Sequence, residues 1–202
     1  MKTMNRFNSL EDIPSADQFK RELNRIRYKK GFFKTLKSTV SSLAVTAAAA
    51  IILSEVFLPV VRVTGSSMEP VLSNSQIVLC NKFRTAERGD IIALYYNKKL
   101  LLKRVIAVAG DTIDIDENGA VKLNGETLDE PYVSAQALGE CDIEFPYTVK
   151  KNRWFVMGDN RELSVDSRYS AFGCVPDENI LGVIEFRLLP FDQPHFLEDA
   201  GG

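Results

Sequence analysis

Leu100-Leu101-Leu102-Lys103-Arg104-Val105-Ile106-Ala107-Val108 is an apolar run of strand length with two adjacent cations at its centre. Short apolar runs rich in branched residues and bounded by turn residues read as buried strands. Side chains alternate across a strand, so Leu101, Lys103 and Val105 share one face and Leu102, Arg104 and Ile106 the other. One of the two cations therefore lies against apolar neighbours. A lysine taken out of water holds its proton less tightly, and the neutral amine can act as a base. A lysine on an edge strand, where it discourages aggregation, is the alternative.

The flanking segments extend the strand pattern. Residues 76–80, 90–96, 154–157 and 182–187 read as strands. Residues 112–116 and 120–123 form a hairpin around Glu117-Asn118-Gly119, and Asn124-Gly125 is a further turn signal. Many short strands with turn punctuation predict a mainly β fold, a partly closed β domain over residues 60–190.

The N-terminal side differs. From residue 38 to 61 the only charge is Glu55, and residues 43–53 are rich in alanine, the best helix former. A helix rises ~1.5 Å per residue, so ~20 residues cross a hydrocarbon core ~30 Å thick. Residues 38–58 suffice, and Pro59 ends the helix. This predicts a single uncleaved transmembrane anchor over 38–59. The alternatives are a cleavable secretory signal and a buried core helix. The first would have an unusually long positive region, and the second lacks another long helix to meet. Arg21, Arg25, Arg27, Lys29, Lys30, Lys34 and Lys37 precede the span and few cations follow it, which puts residues 1–37 in the cytoplasm and the β domain outside. Residues 11–37 read either as an amphipathic helix on the cytoplasmic membrane face or as a loosely ordered tail, and residues 191–202 as a C-terminal tail.

With 202 residues, one compact domain plus an anchor is the natural division. Net charge is −2, and outside the basic stretch the chain balances acidic, so the partner is a lipid bilayer and not nucleic acid. Cys80, Cys141 and Cys174 show no metal spacing. They could be one disulfide with a free thiol, or three free thiols.

The single histidine is His195, in a proline-bearing segment near the end. A serine nucleophile in this chain would therefore take an amine as its base. Ser67 stands in Gly65-Ser66-Ser67-Met68-Glu69-Pro70, just beyond the anchor. Gly65 permits close backbone approach and Pro70 stiffens the chain after the serine. Such a stretch suits an exposed nucleophile, and equally a plain linker. A third cluster, Gly158-Asp159-Asn160-Arg161-Glu162-Leu163-Ser164-Val165-Asp166-Ser167-Arg168, concentrates carboxylates, arginines and serines. It reads as an interlocked loop held by arginine–carboxylate pairs, against the alternatives of a solvated surface loop or a metal site.

Together Ser67-Met68-Glu69-Pro70, Arg88-Gly89-Asp90-Ile91-Ile92, Lys103-Arg104-Val105-Ile106 with Gly110-Asp111, and Gly158-Asp159-Asn160-Arg161 through Ser164 to Asp166-Ser167-Arg168 resemble the ordered motif set of the type I signal peptidases. The resemblance implies a β-rich catalytic fold shared with self-cleaving Ser–Lys repressors, and a membrane-bound serine endopeptidase. Its substrates would be preproteins whose signal peptides are cut after small residues. It implies Ser67 as nucleophile, Lys103 as general base and Ser164 as the hydroxyl that orients the lysine. It implies Asp166 with Arg168, and Asp159 with Arg161, as two scaffolds, and Met68 and Leu72 as lining for a small-residue pocket. No cofactor or metal is implied. The expected partners are signal peptides and the bilayer, with a monomeric enzyme working near the protein export channel. Some relatives place a serine two positions before the nucleophile as an oxyanion donor. Here that position is Gly65, which leaves the backbone N–H of Ser67. The functional alternatives are an autoproteolytic Ser–Lys regulator and a non-enzymatic anchored β module. Residues 134–147, with Cys141, match no motif.

Overall fold

The computed structural model describes residues 15–190 and 195–196. One helix, α1 (Ala16–Phe57), is followed by twelve strands. These are β1 (Val60–Arg62), β2 (Ile77–Asn81), β3 (Ile91–Tyr96), β4 (Lys99–Ala107), β5 (Thr112–Ile115), β6 (Val121–Leu123), β7 (Glu126–Thr127), β8 (Tyr147–Thr148), β9 (Arg153–Met157), β10 (Val175–Pro176), β11 (Ile180–Leu189) and β12 (His195–Phe196). The chain forms two compact units, residues 1–53 and 54–202.

The helix starts where Ser15 and Gln18 cap each other. Ser15 Oγ accepts the Gln18 N–H (3.3 Å) while Gln18 Oε1 accepts the Ser15 N–H (2.9 Å), a reciprocal box that satisfies donors the first turn leaves free. It then runs unbroken for 42 residues. Residues 16–37 are thus helical, as one of the two readings expected, and run without a break into the apolar span, which removes the tail. Residues 11–14 of that expectation lie outside the described residues. Among the described residues α1 is the one helix long and apolar enough to cross a membrane, and its apolar window is not buried, which removes the core-helix alternative.

The β unit holds two sheets. The larger runs β1-β2-β11-β3-β4-β9-β10, with β12 added against β11; the smaller runs β7-β6-β5-β8. The neighbouring strands are antiparallel throughout, so short connections suffice. The β5–β6 hairpin forms as read, in the register Ile113↔Leu123 and Ile115↔Val121. Asn124 and Gly125 take φ of 54° and 90° in the β6–β7 turn, the left-handed backbone such a two-residue turn demands. Two residues of the expected C-terminal tail instead form β12, with Arg187 opposite His195.

Three buried clusters make up the core. One gathers Met68, Leu72, Val78, Ile91, Ala93 and Leu102 around the β1–β2 connection. A second joins Ile92, Leu94, Val105, Val156 and Val183. The third, with Ile106, Ile113, Val121, Phe155 and Met157, locks the smaller sheet onto β4 and β9. Strict alternation along β4 ends at a register shift between Val105 and Ala107 against β9. Ile106 therefore joins the third cluster while Leu102 stays in the first. All three cysteines are free thiols.

Candidate active site

The β1–β2 connection folds back on itself. Gly65 has φ +90°, a conformation open to glycine and strained for other residues. The Leu72 N–H donates to the Met68 carbonyl at 2.8 Å, closing one turn that sends Met68 and Leu72 into the first core cluster. Ser67, half-buried, stays at the wall of a cleft of about 70 Å³ lined also by Val61, Gly65, Met68 and Leu102. Met68 lines this cleft as expected. Leu72 does not; it is 0 % exposed in the core beneath.

Lys103 reaches the site from β4, which lies between β3 and β9 and is no edge strand. Its side chain is buried, and Nζ donates to Ser164 Oγ at 2.7 Å. Gly158 explains how that hydroxyl comes beside the Ser67 segment. A Cβ at Gly158 would stand 2.3 Å from Ser164 Oγ and 2.4 Å from the Ser67 carbonyl oxygen. The absent side chain is the space in which the two segments meet. The Asn160 N–H then donates to the same Ser67 carbonyl at 3.1 Å, tying the Ser67 backbone to the loop that carries Ser164.

Burial pushes the Lys103 amine down from 10.5 to about 8, against the carboxylates of Asp166 and Asp159 and with help from the Arg168 guanidinium. A buried amine has no water to stabilise its charge, and a hydroxyl neighbour does not replace that water. A pKa near 8 leaves a usable fraction neutral near physiological pH, the condition a lysine base needs.

The charged residues around it are paired. Asp166 accepts Nε (2.8 Å) and Nη2 (2.8 Å) of Arg168 and also the Gly158 N–H (3.0 Å). Arg168 donates in addition to the carbonyls of Leu138 (2.6 Å) and Arg161 (2.9 Å). Asp159 is clamped by Nε (2.8 Å) and Nη2 (2.7 Å) of Arg104, whose Nη1 reaches the Gly89 carbonyl at 2.6 Å. Arg161 forks onto Glu130 (Nη1–Oε2 3.0 Å). Tyr132 donates to the same Glu130 at 3.0 Å, and the Arg104 guanidinium lies 3.9 Å above the Tyr132 ring. Bidentate pairs of this kind fix geometry as well as charge, and with arginine engaging these carboxylates the metal alternative has nothing to recommend it.

A family model described as signal peptidase, peptidase S26, matches residues 36–189. The chain belongs to that family. The family match spans all the motifs that carried the resemblance. The chain is 33% identical to signal peptidase I S of Bacillus subtilis (strain 168) over 177 residues, 82% of this chain and 93% of the relative. It is 31% identical to signal peptidase IB of Staphylococcus aureus (strain Mu50) over 180 residues, 79% of this chain and 93% of the relative. A crystal structure of a signal peptidase I from Enterococcus faecalis V583 superposes with a TM-score of 0.42 at 29% identity, over 50% of this chain and 97% of that one. In this chain an apolar helix long enough to cross a membrane precedes the mainly β domain, which together with the family match supports membrane anchoring.

Of the residues singled out in the sequence, Lys103 donates to Ser164, Asp166 pairs with Arg168, and the Ser67 carbonyl lies against Gly158 and Asn160 of the same loop. Asp159 and Arg161 do not pair with each other: each is held from outside the loop, by Arg104 and Glu130. Parity along β4 predicted one buried cation, yet Lys103 and Arg104 are 4 % and 2 % exposed. Arg104 is buried because Asp159 meets it. Sequence reasoning missed Arg104, Glu130, Tyr132 and Gly158 as parts of the site. No signal in the sequence pointed to them, because Asp159, Glu162 and Asp166 already match Arg104, Arg161 and Arg168 in number.

Proposed function

We propose that the chain is a membrane-anchored serine endopeptidase that removes N-terminal signal peptides from exported preproteins, with Ser67 as nucleophile and Lys103 as general base. The observation that carries this reading is the buried Lys103 amine, held at 2.7 Å by Ser164 beside the Ser67 segment and lowered to about 8. Neutral Lys103 takes the Ser67 proton as Oγ attacks the scissile carbonyl. The oxyanion is met by backbone N–H, chiefly that of Ser67. The leaving amine receives the proton from Lys103, an acyl-enzyme forms, and Lys103 then activates the water that releases it. The small cleft beside Ser67 selects small side chains before the cut, as in Ala-x-Ala sites.

The helix holds the β unit to the bilayer from which the substrate's cleavage site emerges, which shortens the search for it. The basic first half of α1 is cytoplasmic and the β unit extracytoplasmic, following the asymmetry of positive charge. The enzyme works as a monomer near the export channel. No observation favours the autoproteolytic regulator or the non-enzymatic module over this reading. Purified Ser67→Ala and Lys103→Ala chains should each fail to cleave an Ala-x-Ala preprotein in detergent, and full activity in either sinks the assignment.

A further inference from the structure

The segment after β7 matches none of the four motifs, yet it touches the catalytic loop repeatedly. Glu130 forks onto Arg161, Tyr132 bonds Glu130 and lies under Arg104, and Ala137 and Leu138 turn their carbonyls to Arg168. Gly139 approaches so closely that a Cβ there would stand 2.3 Å from the Arg161 carbonyl oxygen. Asp142 completes the belt, its N–H donating to the Arg168 carbonyl (3.2 Å) and its carboxylate accepting Ser170 Oγ–H at 2.6 Å.

Glu130, Arg161, Asp159, Arg104 and Tyr132 close a ring. Glu130 holds Arg161, two residues from Asp159; Asp159 holds Arg104, which stacks on Tyr132; Tyr132 returns to Glu130. Arg104 is the neighbour of Lys103 on β4, and Asp159 and Arg161 begin the loop that ends in Ser164. Arg161 is completely buried, and among the described residues its Nε has no partner. Glu130 is therefore what balances its charge. Without that carboxylate a buried guanidinium stands uncompensated, a situation that proteins relieve by moving the charge toward water or toward another carboxylate. The nearest alternative is Asp159, already committed to Arg104.

We propose that Glu130, braced by Tyr132, is a positioning residue for catalysis: it holds the loop from Asp159 to Ser164 against β4 and so keeps Ser164 aimed at the Lys103 amine. The proposal rests on the Ser67–Lys103 reading given above. Losing the clasp shifts that loop, and a misplacement on the scale of 1 Å can cost ~10²-fold in rate. The charged groups that act on Lys103 are Asp166, Arg168 and Asp159, and burial is the main reason its pKa is low. A loosened loop admits water, so the amine moves back toward its ordinary value.

The test uses the full chain in detergent micelles with a short soluble Ala-x-Ala peptide. Glu130→Gln keeps the shape and removes the charge. It should lower kcat ~10- to 10²-fold with KM unchanged within about twofold, and move the acid limb of the kcat profile upward. Glu130→Asp should recover part of kcat. Should Glu130→Gln not fold, Tyr132→Phe deletes only the hydroxyl and should lower kcat several-fold with the same upward shift. Wild-type kcat in a folded variant overturns the proposal. So does a loss that follows the folded fraction equally at every pH, with Glu130→Asp no better than Glu130→Gln. Failure of the underlying reading shows separately, as activity retained in Ser67→Ala or Lys103→Ala.

Discussion

On β4 two neighbouring cations are equally buried and meet opposite surroundings. Arg104 has a bidentate carboxylate, a carbonyl and an aromatic face. Lys103 has one hydroxyl. The Arg104 side spends its polar contacts on keeping a charge, and the Lys103 side withholds them so that a charge is hard to keep. The difference is that burial lowers the proton affinity of an amine only where no carboxylate is left to pair with it. It also shows why the two carboxylates near Lys103, Asp159 and Asp166, do not restore its proton affinity: each is committed to an arginine.

Exchanging the two chemistries breaks this contrast most severely. Lys103→Arg retains a cation but cannot become neutral, since a guanidinium does not lose its proton in a protein. Cleavage should fall by ~10³-fold or more, the scale of losing a residue that activates a nucleophile. Residual activity above a tenth of wild type, measured on purified protein, would show that proton removal by residue 103 is not needed. Next in size is Arg104→Met. It leaves Asp159 buried without its partner, and breaking a buried pair from one side costs roughly 3–5 kcal/mol. Urea melts should show that loss; a change under about 1 kcal/mol would mean Asp159 had found Arg161 instead.

Much of this was legible from residues alone. Strands β2, β3, β4, β9 and β11 followed from period and turn residues, while the roles of Ser67 and Lys103 came from the resemblance, because a serine in a Gly-Ser stretch and a lysine in a strand equally suit a linker and a sheet edge. The pairing of charges came from neither, because Asp159 and Arg161 sit two apart on one loop and their partners come from β4 and from the segment after β7. The resemblance grouped the two as one scaffold, and the fold gives each its own partner, Arg104 for Asp159 and Glu130 for Arg161. The resemblance put Leu72 in a pocket wall, but the turn closed by its own N–H on the Met68 carbonyl carries it into the core. The continuous helix was obscured by composition, since the basic half and the apolar half look like different elements. The Ser15–Gln18 capping box was the missed signal that a single helix begins at residue 16.

The withheld partner also has a thermodynamic signature. Lys103 has a folded pKa of about 8 against 10.5 for the free side chain. The unfolded chain thus binds more protons between these values, so stability rises with pH across that window. Below it the buried ammonium costs on the order of 3 kcal/mol, from about 1.4 kcal/mol per pKa unit. Lys103→Met should therefore be more stable than wild type at pH 7, with the gain shrinking toward zero above pH 10.5. A variant no more stable at pH 7 would mean the amine is solvated in the folded chain.

Smallest in free energy, and sharpest as a discriminator, is the acid limb of the rate. If neutral Lys103 is the base, kcat falls tenfold per pH unit below a midpoint near 8. The single histidine would instead place the midpoint near 6.5, its unperturbed value, and a carboxylate base would place it lower still. Ser164→Ala refines the comparison between the two sides of β4. It removes the one polar contact of Lys103 while leaving Arg104 and its partners in place. An ammonium depends on that acceptor more than a neutral amine does, so the midpoint should move further down as kcat falls from poorer aim. A midpoint that stays fixed while kcat falls would mean that Ser164 sets direction alone, and that burial by the surrounding loop accounts for the neutrality of the base.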